Sequence, residues 1–496
     1  MKPIGPAILL VLLAGVHVVT TAGAQRGTSD KPNILFILAD DLGQRDLGSY
    51  GSTFYETPHL DRLAREGVRF TAAYAAAPVC SPTRASLITG QWPQRTGVTD
   101  YLGAVDKPEQ WKRNTRSLPA PFGDRLALDA TTMAEVLKGA GYATFFAGKW
   151  HLGPEGWWPE QQGFDLNLGG IDRGGPYGGK QYFSPYGNPR LPDGPDGEHL
   201  PDRLAGETVK FIEANRERPF LAFLSFYSVH TPLMARADLQ RKYEEKRQRL
   251  GLEAAWGREH ARDVRLVQEH AVYAGMVDAM DQAVGKVLDR LDALGLRENT
   301  LVIFTSDNGG LSTSEGWPTS NARLRAGKGW MYEGGLRVPL LVRWPNVTRP
   351  GSRADAPVSS PDFLPTVLEA TATSGSTLVL DGVSLVPTLK GKPAAERPLF
   401  WHYPHYGNQG GAPASAIRRG DWKLIEWLED GTIELFDVAH DIGETRELSK
   451  AQPARAARLH SELKAWRAKL GARLPQRNPN YDPAAPDGRA ATRPRS

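Results

Sequence analysis

The sequence predicts an α/β fold: a large, mainly parallel sheet between helices, followed by a smaller C-terminal α+β unit with an antiparallel sheet. Three observations carry this. Several apolar runs are hydrophobic at nearly every position rather than at alternate ones, as strands buried on both faces are. Helix-periodic segments separate them, the alternation that covers a parallel sheet on both sides. From about residue 371 the texture changes to short hairpin-like segments and one last helix.

The elements follow in order. Residues 1–24 read as an export signal. Lys2 supplies the positive start, residues 8–16 an apolar run too short to span a bilayer, and Ala22-Gly23-Ala24 a small-residue cleavage site. No cysteine follows that site, so no lipid anchor is expected, and no later run has the length of a membrane span. Residues 33–39 form the first strand-like run and end in Asp40-Asp41. Residues 60–67 and 133–141 read as helices closed by glycine. Residues 143–147 lead into Gly148-Lys149-Trp150-His151, and residues 220–226 precede His230. Residues 270–294 place Met276, Met280, Val284, Val287, Leu291 and Leu294 on one helical stripe, with Gly295 as the cap. Residues 300–305 end at Asp307-Asn308. In α/β sheets, ligands collect outside the carboxyl ends of the strands. All four polar clusters stand at such ends, so one site is expected.

Residues 25–370 are the main domain on this reading, and 371–476 the C-terminal unit. In that unit a hairpin turns at Gly420-Asp421, a second turn is Glu429-Asp430-Gly431, and a final helix carries Leu459, Leu463, Trp466 and Leu470. Residues 477–496, rich in Pro, Ala and Arg, read as a disordered tail. The net charge is +4, and Lys2 and the tail hold most of it, which leaves the body near +1. That is no nucleic-acid footprint. Attraction for an anion must be local to a site.

The residue types at the strand ends point to chemistry. Asp40-Asp41 and Asp307-Asn308 offer hard oxygen ligands suited to a divalent cation such as Ca²⁺. No His/Cys cluster has zinc spacing. Cys80 is the only cysteine, so it forms no internal disulfide, and Arg84 close behind it is a natural anion partner. An exported chain with one cysteine does not rely on disulfides, which suits a periplasm or a bacterial exterior.

Cys80-Ser81-Pro82-Thr83-Arg84, running on to Leu87-Ile88-Thr89-Gly90, resembles the signature of the formylglycine-dependent (type I) sulfatases. Residues 141–151 match the family's second signature. Lys328 within residues 325–339 matches its lysine segment, and His230-Thr231-Pro232 its histidine after a strand. From Pro32 to about Lys450 the chain resembles arylsulfatases and N-acetylgalactosamine sulfatases, in the alkaline phosphatase superfamily. The resemblance implies an alkaline-phosphatase-like sandwich. It implies that Cys80 is oxidised to 3-oxoalanine (formylglycine) by a formylglycine-generating or anaerobic sulfatase-maturing enzyme. It implies Ca²⁺, with Mg²⁺ as the alternative, held by Asp40, Asp41, Asp307 and Asn308 with residue 80 completing the shell. The aldehyde hydrate would attack sulfur. Arg84 and Lys149 would steady it, and Lys149 and Lys328 would bind sulfate oxygens. His230, with Lys328, would protonate the leaving alcohol, and His151 would take the proton that triggers sulfate release.

The expected reaction is hydrolysis of an O-sulfate ester, with a sulfated carbohydrate as substrate. The resemblance is strongest to bacterial enzymes acting end-on upon galactose or N-acetylgalactosamine sulfates. Residues 172–177, with Asp172 and Arg173, and residues 402–406, with His402 and His405, are the candidate substrate contacts. The rival readings are an aryl or choline sulfatase, a phosphoester or phosphonate hydrolase of the same superfamily, and a non-catalytic binder of sulfated glycans.

Overall fold

The computed structural model describes Met1, Pro3 and residues 31–490, so the expected export signal lies outside the described residues. The central sheet is built from β1 (Asn33–Ala39), β2 (Val68–Tyr74), β3 (Ala143–Gly148), β4 (Leu166–Leu168), β5 (Phe220–Ser225), β6 (Thr300–Ser306), β7 (Arg337–Arg343) and β8 (Ser352–Ala354). Their spatial order is β8-β2-β7-β6-β1-β5-β3-β4, and a ninth strand, Val358–Ser359, also pairs with β2. Only β7 runs against its neighbours.

β1 explains why these strands are apolar throughout. Leu35, Ile37 and Ala39 enter one core with α1 (Pro58–Glu66), α4 (Leu200–Ala214) and α5 (Ala271–Ala293). Ile34, Phe36 and Leu38 enter the opposite core with α2 (Cys80–Thr89), α3 (Met133–Gly139) and α6 (Phe363–Ala370). Each fully buried Leu, Ile or Phe among them stabilises by roughly 1.5–3 kcal/mol. Phe36 and Phe223, paired in register, stack at 4.8 Å. In α5 the stripe from Met276 to Leu291 is buried, and His270 caps the helix by accepting from the Tyr273 N–H at 3.3 Å.

The C-terminal unit is a meander of β9 (Leu399–Tyr403), β10 (Ala414–Arg419), β11 (Trp422–Trp427) and β12 (Ile433–Asp437). Helix α7 (Pro453–Leu470) packs Leu459 and Leu463 on one face, against Ile417, Leu424 and Leu435. The other face, with Trp401, Ile425 and Phe436, packs on Tyr74, Trp330 and Tyr332 of the main domain.

A buried ion cluster crosses that junction. Lys423 Nζ donates to Glu333 Oε1 at 3.0 Å and to Glu444 Oε1 at 2.9 Å. Glu333 Oε2 accepts from Tyr74 Oη at 2.7 Å and Arg337 Nη1 at 3.0 Å, and Glu444 Oε2 accepts from the Glu333 N–H at 2.7 Å.

Of the expected tail, residues 477–490 depart from disorder, and the rest lies outside the described residues. Gln476–Arg477 pairs antiparallel with Ser117–Leu118, Asn478 Nδ2 donates to the Thr115 carbonyl at 2.8 Å, and the Gly488 N–H donates to Asn114 O at 2.9 Å. Much of this holding is main chain to main chain, which composition does not register. Among the described residues no helix is long and apolar enough to cross a membrane.

Candidate active site

β6, β1, β5 and β3 are consecutive neighbours, so their carboxyl ends stand side by side. The register sets Ala39 beside Ser306, and both Leu38 and Gly148 beside Ser225. The next residues on each strand therefore converge. Gly148 makes the closest approach possible: its φ is +103°, and a Cβ there would fall 1.8 Å from the Ser225 carbonyl. The Lys149 N–H donates to that carbonyl at 2.8 Å.

Cys80 is the first residue of α2, and Arg84 lies one turn on, on the same face. Cys80 Sγ is 3.3 Å from His151 Nδ1. The other ring nitrogen, Nε2, is 2.7 Å from the Leu102 carbonyl. A carbonyl only accepts, so Nε2 carries the proton and Nδ1 turns its lone pair to residue 80. Arg84 is held through two of its three nitrogens: Nε donates to Asp307 Oδ2 at 2.8 Å, and Nη1 to Lys149 O at 2.7 Å and Ser225 Oγ at 2.8 Å.

Oxygens of Asp40, Asp41 and Asp307 lie within 4.8 Å of one another, and all three residues are buried. Lys149 Nζ donates to Asp40 Oδ2 at 2.7 Å, and Lys328 Nζ to Asp41 Oδ2 at 2.8 Å. Asn308 Nδ2 donates to Asp41 Oδ1 at 2.8 Å. His230 Nε2 stands 3.8 Å from Asp41 Oδ2, and its Nδ1 donates to the Thr231 carbonyl at 2.7 Å. Asp40 Oδ1 and Asn308 Oδ1 are buried with no hydrogen-bond donor among the described residues.

Burial dominates the protonation of the site. It pushes the Asp40 carboxyl well above its usual range, although Lys149 opposes it. Burial acts on Asp41 in the same way, but Lys328, His230 and Lys149 outweigh it and hold that group ionised. The same desolvation, with Lys149 beside it, takes His151 well below the usual histidine value. It takes His230 down to about 3, with Lys328 as the next cause. The Cys80 thiol is pushed up by burial despite Lys149 and Lys328, so as encoded it stays protonated.

A pocket of ≈ 250 Å³ opens over these residues. Cys80, His151, His230 and Lys328 form its buried floor, and Tyr101, Tyr177, Glu315, Asn408 and Gln409 line it further out. Lys149 is wholly buried and is not part of the lining; it acts from beneath, through Asp40.

The family model described as Sulfatase matches residues 32–373. The chain belongs to the formylglycine-type sulfatase family. A second model, N-sulphoglucosamine sulphohydrolase, C-terminal, matches residues 326–469 of this sulfatase. A protein of Formosa agariphila named Sulfatase is 32% identical and is matched over 95% of each chain. The steryl-sulfatase of Rattus norvegicus is 33% identical over 80% of this chain and 76% of its own. Among solved structures, Ps i-CgsB in complex with k-i-k-neocarrahexaose is 29% identical, with a TM-score of 0.71 over 88% of this chain and 92% of that one. This sulfatase is a sulfuric ester hydrolase on the alkaline-phosphatase-like fold.

The structure brings Asp40, Asp41, Cys80, Arg84, Lys149, His151, His230, Asp307, Asn308 and Lys328 of the sulfatase together. It does not bring the two expected histidine contacts into the pocket. His402 belongs to β9 and is spent inside the C-terminal unit, with Nδ1 2.7 Å from Ser415 Oγ and Nε2 2.7 Å from Arg473 O. His405 is fully buried and its Nε2 pairs with Thr99 Oγ1 at 2.9 Å. The reason is that residues 399–403 are a buried strand, not a surface loop. Of the other expected cluster, Gly174 and Tyr177 line the pocket. Asp172 and Arg173 do not line it; Arg173 Nη1 binds the Tyr177 and Gly187 carbonyls and so shapes that loop. Glu315, Asn408 and Gln409 went unnoticed, because they sit in loops with no periodicity and no motif.

Proposed function

We propose that this sulfatase cleaves an O-sulfate ester through an aldehyde hydrate at residue 80, acting end-on upon a sulfated sugar of galactose or N-acetylgalactosamine type. One observation carries the reading: His151 turns an unprotonated Nδ1 to Cys80 Sγ at 3.3 Å, on the floor of a pocket where the thiol itself is held protonated. A protonated thiol is a poor nucleophile. An aldehyde hydrate at that position supplies one hydroxyl to attack sulfur and a second whose deprotonation re-forms the carbonyl and releases sulfate.

The acidic trio fits a hard divalent cation. Asp40 Oδ1 and Asn308 Oδ1 have no donor among the described residues, and the donor set is all oxygen, which suits such a cation. Asp40, Asp41, Asp307 and Asn308 would hold Ca²⁺, or Mg²⁺, which lowers the pKa of an attached hydroxyl and draws charge from a sulfate oxygen. The chain's own groups do the rest. Arg84 anchors Asp307 and the Lys149 carbonyl just beyond β3, so the carboxylates keep their places. Lys328, on the pocket floor, binds sulfate oxygens, and Lys149 offsets negative charge from below. His151 Nδ1 takes the proton that frees sulfate. His230 keeps its proton on Nδ1, tied to Thr231 O, so Nε2 first takes a proton from the neighbouring Lys328 ammonium and then passes it to the leaving oxygen. Such acid–base help is worth roughly 10²–10⁴-fold per group.

Tyr101, Tyr177, Asn408 and Gln409 give the pocket the aromatic and polar wall that suits a sugar. The relative solved with an oligosaccharide supports that substrate class. The steryl-sulfatase relative and the two rim tyrosines favour a second reading, an aryl or other apolar alcohol. A screen of sulfated mono- and disaccharides against simple aryl sulfates decides between them. Turnover of aryl sulfates alone, with every sugar inert, overturns the carbohydrate assignment. Export to a periplasm or bacterial exterior, and encounter with a sulfatase-maturing enzyme, complete the reading.

A further inference from the structure

Among the residues lining the pocket, Lys328 is the one lysine or arginine and Glu315 the one carboxylate. Glu315 is exposed at the rim, on the loop between β6 and Lys328. Its φ is +52°, a left-handed conformation that residues other than glycine rarely take. Such strain clusters at functional sites.

Glu315 is held by a neutral partner rather than by a cation. Gln409 Nε2 donates to Glu315 Oε1 at 2.6 Å, and no donor among the described residues is hydrogen-bonded to Oε2. Gln409 is itself 3% exposed, and its backbone oxygen accepts from Thr313 Oγ1 and Trp330 Nε1, each at 3.0 Å. Gly329 makes room for the amide: its φ is +80°, and a Cβ there would lie 2.4 Å from Gln409 Oε1. A carboxylate only accepts, so the amide orientation is fixed. No arginine or lysine among the described residues forms an ion pair with Glu315, so its carboxylate faces the pocket with only the Gln409 amide bound to it.

A negative rim over a sulfate site opposes every anionic substrate unless it gains something from the alcohol. We propose that Glu315 sets the charge class of the substrate: it accepts a hydroxyl of the alcohol and turns away alcohols that carry a carboxylate or a second sulfate. Gln409 is its positioning residue. The inference rests on this pocket being the sulfate-ester site, and it favours neutral sugars over uronates and multiply sulfated units.

The test compares kcat/KM within matched pairs: a galactose monosulfate against its disulfate, and phenyl sulfate against a carboxyphenyl sulfate. The expected preference for the singly charged ester is about 10-fold, as for like charges a few ångströms apart at a partly solvated rim. Glu315→Gln should shrink it at least several-fold, chiefly through KM of the doubly charged ester, and added salt should shrink it in the wild type alone. Gln409→Leu, which frees the Glu315 side chain, should give an intermediate ratio. Each ratio is taken within one protein, so a lower folded fraction cancels. An unchanged ratio in Glu315→Gln, or a wild type that prefers doubly charged esters, overturns the proposal. If the aryl pair responds while every sugar is inert, the carbohydrate reading falls and the role of Glu315 stands. If Cys80→Ala keeps full activity, the reading of the pocket falls and takes this role with it.

Discussion

Two of the buried charge clusters in this sulfatase differ in how completely their atoms are paired. At the junction with the C-terminal unit, both oxygens of Glu333 and both of Glu444 accept hydrogen bonds, and Lys423 bridges the two. Under the strand ends, Asp40 Oδ1, Asn308 Oδ1 and Arg84 Nη2 have no hydrogen-bond partner among the described residues. An unpaired buried group costs about 1–3 kcal/mol, and more when charged. The saturated cluster holds two parts of a fold together. The unsaturated one presents acceptors suited to a cation, on Asp40 and Asn308, and a donor suited to an oxygen anion, on Arg84.

The difference can be broken or sharpened by experiment. Cys80→Ala should lower turnover by about 10⁴-fold or more with the fold intact, as removal of a reacting group does; steady-state rates and a melting curve check both halves. His151→Ala should slow sulfate release by roughly 10²–10⁴-fold while an initial burst of alcohol survives, seen by rapid quench. Glu333→Gln, in the saturated cluster, should do the reverse: unfolding free energy falls by about 3–5 kcal/mol in denaturant titrations, while the folded fraction keeps its kcat. Ca²⁺ at about 100 times its Kd should stabilise the protein by about 2.7 kcal/mol. Asp41→Asn should abolish that response and Glu333→Gln should keep it.

The smallest effect concerns pH. Burial pushes Glu444 up to about 7 against the pull of Lys423, from an ordinary value of 4.5. A raised carboxyl favours the folded state when protonated, so its contribution is full below pH 4.5 and is lost as pH rises through about 7. Glu333, held low by Lys423 and Arg337 against its burial, acts only on the acid side of its ordinary value of 4.5. Glu444→Gln should therefore lose less stability than the wild type between those two pH values, read from melting temperatures in a pH series.

The unsaturated cluster was the legible one. Runs such as residues 33–39 and 300–306 are apolar throughout because both faces of the sheet are covered, and a polar pair at the end of such a run has few places to be except a site. Strand order follows from no local pattern, yet adjacency of the four ends is what joins Asp40, Lys149, Ser225 and Asp307. His402 was misread because the strand from Leu399 to Tyr403 has aromatic and polar residues buried against α7 and the main domain, so its sequence looks like a binding loop. The saturated cluster was invisible: Glu333, Lys423 and Glu444 are far apart in the chain, and each reads alone as a solvated charge. Glu315 shared that fate.

The measurement that bears most directly on the central claim is the mass of the peptide containing residue 80, taken from enzyme whose turnover has just been assayed. The account predicts an aldehyde in place of the thiol, trapped by a hydrazine, in a fraction of molecules that scales with specific activity. Full activity on a sulfate ester from protein whose Cys80 remains a thiol, alkylated in every molecule, would contradict it.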